Sequence, residues 1–467
     1  MSGDRHFLTK FLSVRRTSGV YFLGHIAIIA FTFTLAVFQS KNAGGMVGIL
    51  VVFAIYVIWI KKMDYLDPFV GYIIPWMMVL FLSLIPISHF AVPIHPKTYL
   101  LVLAAMSTAL FVSGGRDRGH SRRSIARKQQ KGFLSGRLSL FFIESIFFIF
   151  TWLNIAIAGY IPLLRGVETG NTGYIDFGVP GVYGFYLAFA NALGIASFYL
   201  YLKTERRRHL YVYFLVLSIF LLFVTRQNMI ALIIEAIALY SVVRKRIDWK
   251  KIVIILMLMA IAFSMIGAFR TGDIKEIANV SPEYQWVPDP VVWLYAYSYF
   301  NIANFDNLVM FSNAPYYDGS SMASFLPSFL RPRYETGAYL LVSNFNVSSY
   351  LFPLYQDTGG IGIVLITGVM LSFARKMYRS LDSGAPLSAV GTYAVLYYCT
   401  SFSFFGNFWF YLPIIFQIVF FYAFSNTVER VVHEVSSKDL ALKDKRLPRA
   451  QKVALTRLVS QKTLIID

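Results

Sequence analysis

Long apolar runs separated by short polar breaks recur between residues 20 and 425 of this 467-residue chain. Most are long enough to cross about 30 Å of hydrocarbon at about 1.5 Å of helical rise per residue. The pattern predicts an all-α, polytopic membrane protein with about twelve transmembrane helices, at 20–38, 45–60, 69–88, 98–114, 138–158, 180–202, 209–225, 227–243, 252–269, 359–374, 388–405 and 408–425. The first run follows a basic segment, as a signal peptide would, but it lacks a clean small-x-small cleavage site and reads as a retained helix. The break "FVTRQNM", 223–229, is peculiar, because it carries Arg226, the one basic residue between His209 and Val243. An arginine at bilayer centre costs roughly 2.5 to 3.5 kcal/mol on insertion scales. It is therefore expected at a tight turn between two short helices, where water or a ligand can meet it.

Composition agrees with this picture. The chain is 57% hydrophobic, 17% aromatic and only 14% charged, more apolar than a soluble protein of its size could hide. Its one cysteine, Cys399, falls inside an expected span, which excludes a disulfide framework or a zinc cluster. Lysine and arginine concentrate in alternate loops, among them "RDRGHSRRSIARKQQKGFLSGR", "KTERRR" and the tail after Arg430. By the positive-inside bias those loops and both termini are cytoplasmic. Most of the net charge of +19 is then a topological signal that also suits anionic lipid. No basic module with interleaved aromatics accompanies it, so nucleic acid is not an expected partner. Only eight of the 43 basic residues fall on the outer side, Arg165, Arg226, Arg270, Arg331 and Arg333 among them, and these have no topological role.

The chain divides into helices at 1–269, a long outer connection at 270–358, further helices at 359–428 and a basic cytoplasmic tail at 429–467. Outer connections elsewhere are much shorter, so function is expected in the long one. Within it "VWLYAYSYFNIANFDNLVMF" reads as an interfacial or re-entrant helix, since crossing the membrane would bury Asn301, Asn304, Asp306 and Asn307. The following "FLPSFLRPRYETGAYLLVSNFN" gathers Arg331, Arg333, Tyr334 and Glu335 within five residues. Such a cluster reads either as a binding site or as a salt-bridged surface loop. The connection's ten tyrosines and two tryptophans suit sugar stacking and, equally, an interfacial belt.

Arg226 itself reads as a snorkelling or capping arginine or as an anion clamp. Its planar donors match phosphate oxygens, and Asn228 opens a helix whose amides favour negative charge. No P-loop, HExxH, CxxC, GxSxG, GxGxxG or DxD motif occurs, which leaves nucleotide hydrolysis, zinc hydrolysis and metal-dependent sugar-nucleotide transfer unsupported and predicts no cofactor and no metal. All seven histidines lie outside the long connection, and His89 and His95 read as interfacial. A general base within the connection would have to be a carboxylate or a tyrosine. Glu144 and Glu235 are the clearly intramembrane acids, and Glu235 would suit a proton path in a transporter.

The segments "FVTRQNMIALII", "NFDNLVMF" and "SFLPSFLRPR" followed by "DTGGIGIV" resemble, in order and spacing, the Wzy-type oligosaccharide repeat-unit polymerases over roughly residues 210–375. Phe223-Val224 departs from the pattern, since relatives often carry glycine before the threonine. The resemblance implies a GT-C-like, lipid-dependent glycosyltransferase of the bacterial inner membrane, with a periplasmic active site and no metal or nucleotide. It would move a growing glycan from undecaprenyl diphosphate onto the non-reducing end of an undecaprenyl-diphosphate-linked repeat unit, with a chain-length co-polymerase as partner. Breaking the bond from anomeric carbon to phosphate builds charge on the leaving diphosphate, and Arg226 and Arg270 are assigned to hold it. Asp306, at the family's acidic position, is the expected base, with helix capping as its alternative role. Glu335 beside Arg333 reads as ion-paired. Arg331, Arg333, Tyr334, Glu335, Arg165 and Asn228 are assigned to substrate binding. An O-antigen ligase acting on lipid A core and a lipid-linked oligosaccharide transporter are the alternatives.

Overall fold

The structure, a computed structural model, describes residues 52, 65–113, 135–179, 181–244, 249–327, 330–331, 339–342, 345, 348–382 and 384–446, with side chains except at 249, 251, 269–271 and 438–446. Among the described residues the architecture is all-helical, with one isolated antiparallel bridge between Ser88 and Val280. The helices are α1 Pro68–Leu82, α2 Pro96–Ser113, α3 Gly136–Ala158, α4 Pro162–Thr169, α5 Val182–Thr204, α6 Arg207–Leu222 and α7 Arg226–Arg244. They continue with α8 Trp249–Thr271, the single turn α9 Ile274–Ile277, α10 Asp289–Phe311, α11 Leu351–Arg379, α12 Leu387–Ser401 and α13 Leu412–Arg446.

Helices stand at ten of the twelve expected places, while the expected spans 20–38 and, apart from Val52, 45–60 lie outside the described residues. Six stretches are long and apolar enough to cross a membrane: α2, α3 with α4, α5, α7, α11 and the Leu412–Ser437 part of α13. Such repetition identifies a multi-pass membrane protein. Helix α1 and the Ile252–Ala268 part of α8 are apolar but shorter, and α6 and α12 have 16 and 15 residues. The 23-residue α10 is a helix, as its pattern predicts, and is not among the candidate spans.

Local chemistry explains where the elements begin and end. Proline opens α1, α2 and α4, where the missing N–H costs nothing. Asp67 caps α1 by accepting from the Phe69 amide at 3.0 Å, and Ser135 caps α3. Gly159 and Gly170 close α3 and α4 in the left-handed conformation. Two bounds differ most from expectation. Helix α11 starts at Leu351 rather than 359 and bends at Gly359, whose φ is +67°. Its first turns contain Gln356 and Asp357, whose polarity hides from hydropathy a segment that the fold buries. Helix α13 runs on to Arg446, well past the expected end at 425, because a helix leaving the apolar region can continue on a polar sequence.

Buried side chains gather into two apolar clusters, one around α1, α2, α10 and α11, the other around α5, α6, α7, α12 and α13. Hydroxyls stitch the first: Tyr350 Oη is 2.7 Å from both Tyr72 Oη and Thr367 Oγ1, and Trp76 Nε1 donates to Ser403 Oγ at 3.0 Å. At the far end of α11 the buried Arg375 lies 3.8 Å from the Asp67 carboxylate and donates to the Val112 carbonyl. That arrangement joins the start of α1 to the ends of α2 and α11.

Candidate functional site

The turn from α6 to α7 uses only Phe223, Val224 and Thr225, and it forces Val224 to a φ of +57°. For a β-branched residue this is a strained conformation. It falls one residue before Thr225, at the place where the resemblance led one to expect glycine, so the turn keeps the glycine geometry with a valine in it. The Phe220 carbonyl accepts from both the amide and the hydroxyl of Thr225, at 3.0 and 3.2 Å, and α7 starts at the next residue. Arg226 therefore occupies a helix N-terminus, whose free amides favour anions.

The Arg226 side chain is buried, at 6% exposure, against α8 and α10. Its guanidinium carbon lies 4.6 Å from the Phe263 ring centre and 5.2 Å from that of Trp293, and Nη2 donates to Tyr297 Oη at 3.4 Å. Trp293 and Tyr297 are four residues apart on α10 and stack at 5.6 Å, with Phe263 edge-on to both. Gly267 makes room for this cage, since a Cβ there would stand 2.6 Å from the Trp293 indole. A guanidinium over aromatic faces is attracted by the ring quadrupoles and stays fully ionised. Asn228, two residues on, accepts from Asn191 Nδ2 at 2.8 Å and is half-buried.

Asp306 lies farther along α10. It is nine residues from Tyr297, about 13.5 Å along the axis and half a turn out of phase, so the two side chains leave opposite faces of the helix. Its Oδ1 accepts from Thr98 Oγ1 at 2.6 Å and from the His95 amide at 3.1 Å. Those donors are the amide just before α2 and a hydroxyl in its first turn, so Asp306 anchors the start of that helix from outside it. Burial raises its pKa, and the bonds from Thr98 and His95 partly oppose the shift. The fold thus presents a caged cation and a partly desolvated carboxyl on two sides of one helix, and does not bring them into contact.

The remaining expected residues are described only in part. Arg165 stands on α4, which packs against α6 and α8, with its guanidinium 4.3 Å over the Tyr160 ring. Arg331 is exposed and donates to the Leu326 carbonyl at 3.2 Å. It also lies near Tyr411, whose pKa burial raises while the arginine opposes the shift. Arg270 belongs to the last turn of α8, but its side chain lies outside the described residues, as do Arg333, Tyr334 and Glu335 altogether.

Sequence reading missed the cage. Trp293 and Tyr297 at a helical spacing of four were the available sign, and nothing local pointed from them to Arg226. It also missed the work of Asp357. This carboxylate accepts from the Gly319 amide at 3.0 Å and the Ser321 hydroxyl at 2.6 Å, while its carbonyl accepts from the Tyr317 amide at 2.9 Å. Asp357 thereby pins the loop after α10 to the bend of α11.

Fold and site together define an all-helical, multi-pass membrane protein that holds a caged arginine at a helix N-terminus beside a long loop-rich segment. The O-antigen polymerase family model matches residues 49–402, and the chain belongs to that family. No curated protein and no solved structure matches it. Family membership implies polymerisation of lipid-linked repeat units by a glycosyltransferase-like reaction.

Proposed function

We propose that this protein is a polysaccharide polymerase of the bacterial inner membrane that transfers a growing glycan from undecaprenyl diphosphate to the non-reducing end of a lipid-linked repeat unit. The observation that carries the reading is Arg226, buried in the cage of Phe263, Trp293 and Tyr297 at the start of α7, in a chain of the O-antigen polymerase family. In the transfer, an acceptor hydroxyl attacks the anomeric carbon, the bond from that carbon to the diphosphate oxygen breaks, and undecaprenyl diphosphate departs with the electron pair. Arg226, at a site rich in amide donors, holds the growing charge, with Arg270 seven residues beyond Phe263 on α8 as its partner. The acceptor's proton goes to Asp306, whose raised pKa suits a base. Because Asp306 sits on the opposite face of α10 from the cage, the transfer requires a rearrangement of α10 that brings an acceptor hydroxyl on Asp306 to the anomeric carbon of the donor held at Arg226. Arg165, Arg331, Arg333, Tyr334, Glu335 and Asn228 contact the two glycans and their diphosphates.

This assignment carries the wider topology: twelve spans in a GT-C-like arrangement, cytoplasmic termini, a periplasmic site, and no need of nucleotide or metal. A chain-length co-polymerase would bind in the membrane alongside it. The test is incubation of the purified protein with undecaprenyl-diphosphate-linked repeat units, without nucleotide or divalent cation. A ladder of lengthened lipid-linked products is the expected result. Glycan appearing only on added lipid A core would make the protein a ligase, and unmodified repeat units accumulating across a vesicle bilayer would make it a transporter.

A further inference from the structure

Arg226 is the first residue of α7, so its guanidinium moves with that helix. The rings of the cage belong to α8 and α10, whereas α7 packs chiefly on α5 and α12. Most of the buried side chains of α7, Ile230, Leu232, Ala236 and Leu239 among them, are aliphatic. Such a surface fixes rotation and depth only weakly, because apolar burial has no direction and neighbouring registers bury similar area. A slip of one residue would carry the start of the helix about 1.5 Å along its axis and turn it about 100°. Either motion takes Arg226 out of its cage.

Three side-chain hydrogen bonds to three different helices remove that freedom. Gln227 bonds the Tyr398 hydroxyl of α12, Asn228 accepts from Asn191 Nδ2 of α5 at 2.8 Å, and Glu235 Oε2 accepts from Gln417 Nε2 of α13 at 2.6 Å. Asn191, Glu235, Tyr398 and Gln417 are all buried, where a broken bond strands polar groups away from water. Asn228 and Glu235, seven residues apart, lie on one stripe of α7; Glu235 is nine residues from Arg226 and so half a turn out of phase with it. That stripe is tied to α5 and α13, which pack along each other, and the opposite face carries Arg226 toward Phe263, Trp293 and Tyr297. We propose that Asn191, Tyr398 and Gln417 are positioning residues, which act through Asn228, Gln227 and Glu235 to set the rotation and depth of α7 and with them the place of Arg226. Their part in catalysis rests on the polymerase reading; the placement of α7 does not.

The test uses the purified full-length chain in detergent, with extension of lipid-linked repeat units and a spin-label distance as separate readouts. Nitroxides at Val243→Cys on α7 and Val291→Cys on α10 report where α7 stands, since Cys399, the one native cysteine, is buried and stays unlabelled. Glu235→Leu with Gln417→Leu removes donor and acceptor together, which keeps the fold and releases the direction of the contact. The distance should shift or broaden and the unfolding midpoint hold. In the same variant kcat should fall about tenfold or more with KM within about twofold, since Arg226 acts on the leaving group. Glu235→Gln with Gln417→Glu rebuilds the bond with donor and acceptor exchanged, and should restore the distance and most of kcat. Asn191→Leu and Tyr398→Phe should each shift the distance and lower kcat in the same sense. In an Arg226→Ala background the leucine pair should lower kcat no further, because the ties act through that side chain. An unmoved distance overturns the proposal, as does an unchanged kcat or a loss that multiplies with that of Arg226→Ala. A parent protein that extends no glycan strikes the catalytic part together with the polymerase reading, and the distances alone then decide whether these bonds place α7.

Discussion

Arg375 and Arg226 are buried to a similar degree, at 4% and 6% exposure, yet their surroundings differ in kind. Arg375 meets the carboxylate of Asp67 and the carbonyl of Val112, and Asp67 also caps α1. Its charge is compensated by a full opposite charge, which is what a structural cation in a membrane protein requires. The groups around Arg226 described above are two aromatic rings and a phenol, which hold a guanidinium without carrying net charge. One arginine ties helices together through an ion pair, and the other is the one proposed to hold the leaving diphosphate.

The sharpest way to break this comparison is to remove each guanidinium in turn. Arg375→Ala strands Asp67 in the interior and is expected to cost about 3 to 5 kcal/mol of stability, read as a lowered unfolding midpoint in detergent. Replacing both partners, Arg375→Met with Asp67→Leu, should recover most of that loss. Arg226→Ala should leave the midpoint within about 1 kcal/mol of the parent while slowing chain extension roughly 100- to 1,000-fold. A variant that unfolds instead, with its residual folded fraction fully active, would return Arg226 to a structural role.

Asp306 gives a smaller and more divided effect. Asp306→Asn keeps an oxygen to accept from Thr98 and His95 but removes the base, so extension should fall about 100-fold or more while the fold persists. If capping of α2 is its whole function, the asparagine variant stays active and only Asp306→Ala loses stability. The pH dependence carries the same information. Because burial raises this pKa, the ionised base is lost on acidification at a higher pH than an ordinary carboxylate would show, and extension should rise with pH through that raised value. The sign for stability is opposite: burial favours the protonated form, so its stabilising contribution is full below the unfolded pKa and is lost as pH rises through the folded one. The pH–rate profile of Asp306→Asn should lack this limb.

Val224→Gly is expected to change least. Glycine relieves the strain of a φ of +57° and loses the packing of a fully buried valine, and these two effects of about 1 to 2 kcal/mol oppose each other. A net change under about 1 kcal/mol should follow. Val216→Gly in mid α6, equally buried but with no strain to relieve, should cost several times more.

Much of the helix order could be read from apolar run lengths, because the bilayer requires each span to satisfy its own backbone and to show lipid an apolar surface. Arg226 at a turn followed by a helix opened through Asn228 was legible for the same reason, since a lone guanidinium in such a run has few tolerable positions. The polar first turns of α11 were not legible. Gln356 and Asp357 are buried by partners at 316–321, a distance along the chain that no hydropathy window spans.

What the sequence determined by itself was the class of molecule and the order of its apolar segments within the described region. These depend on short-range quantities: the length of an apolar run, the sign of a loop and the residues at a turn. Only the tertiary structure decided that Phe263, Trp293 and Tyr297 surround Arg226, that the same three side chains line an apolar cavity, and that Asp306 faces α2 on the other side of α10. Each of these depends on which faces of distant helices meet, and helices that are apolar nearly all round do not reveal their facing sides until they pack.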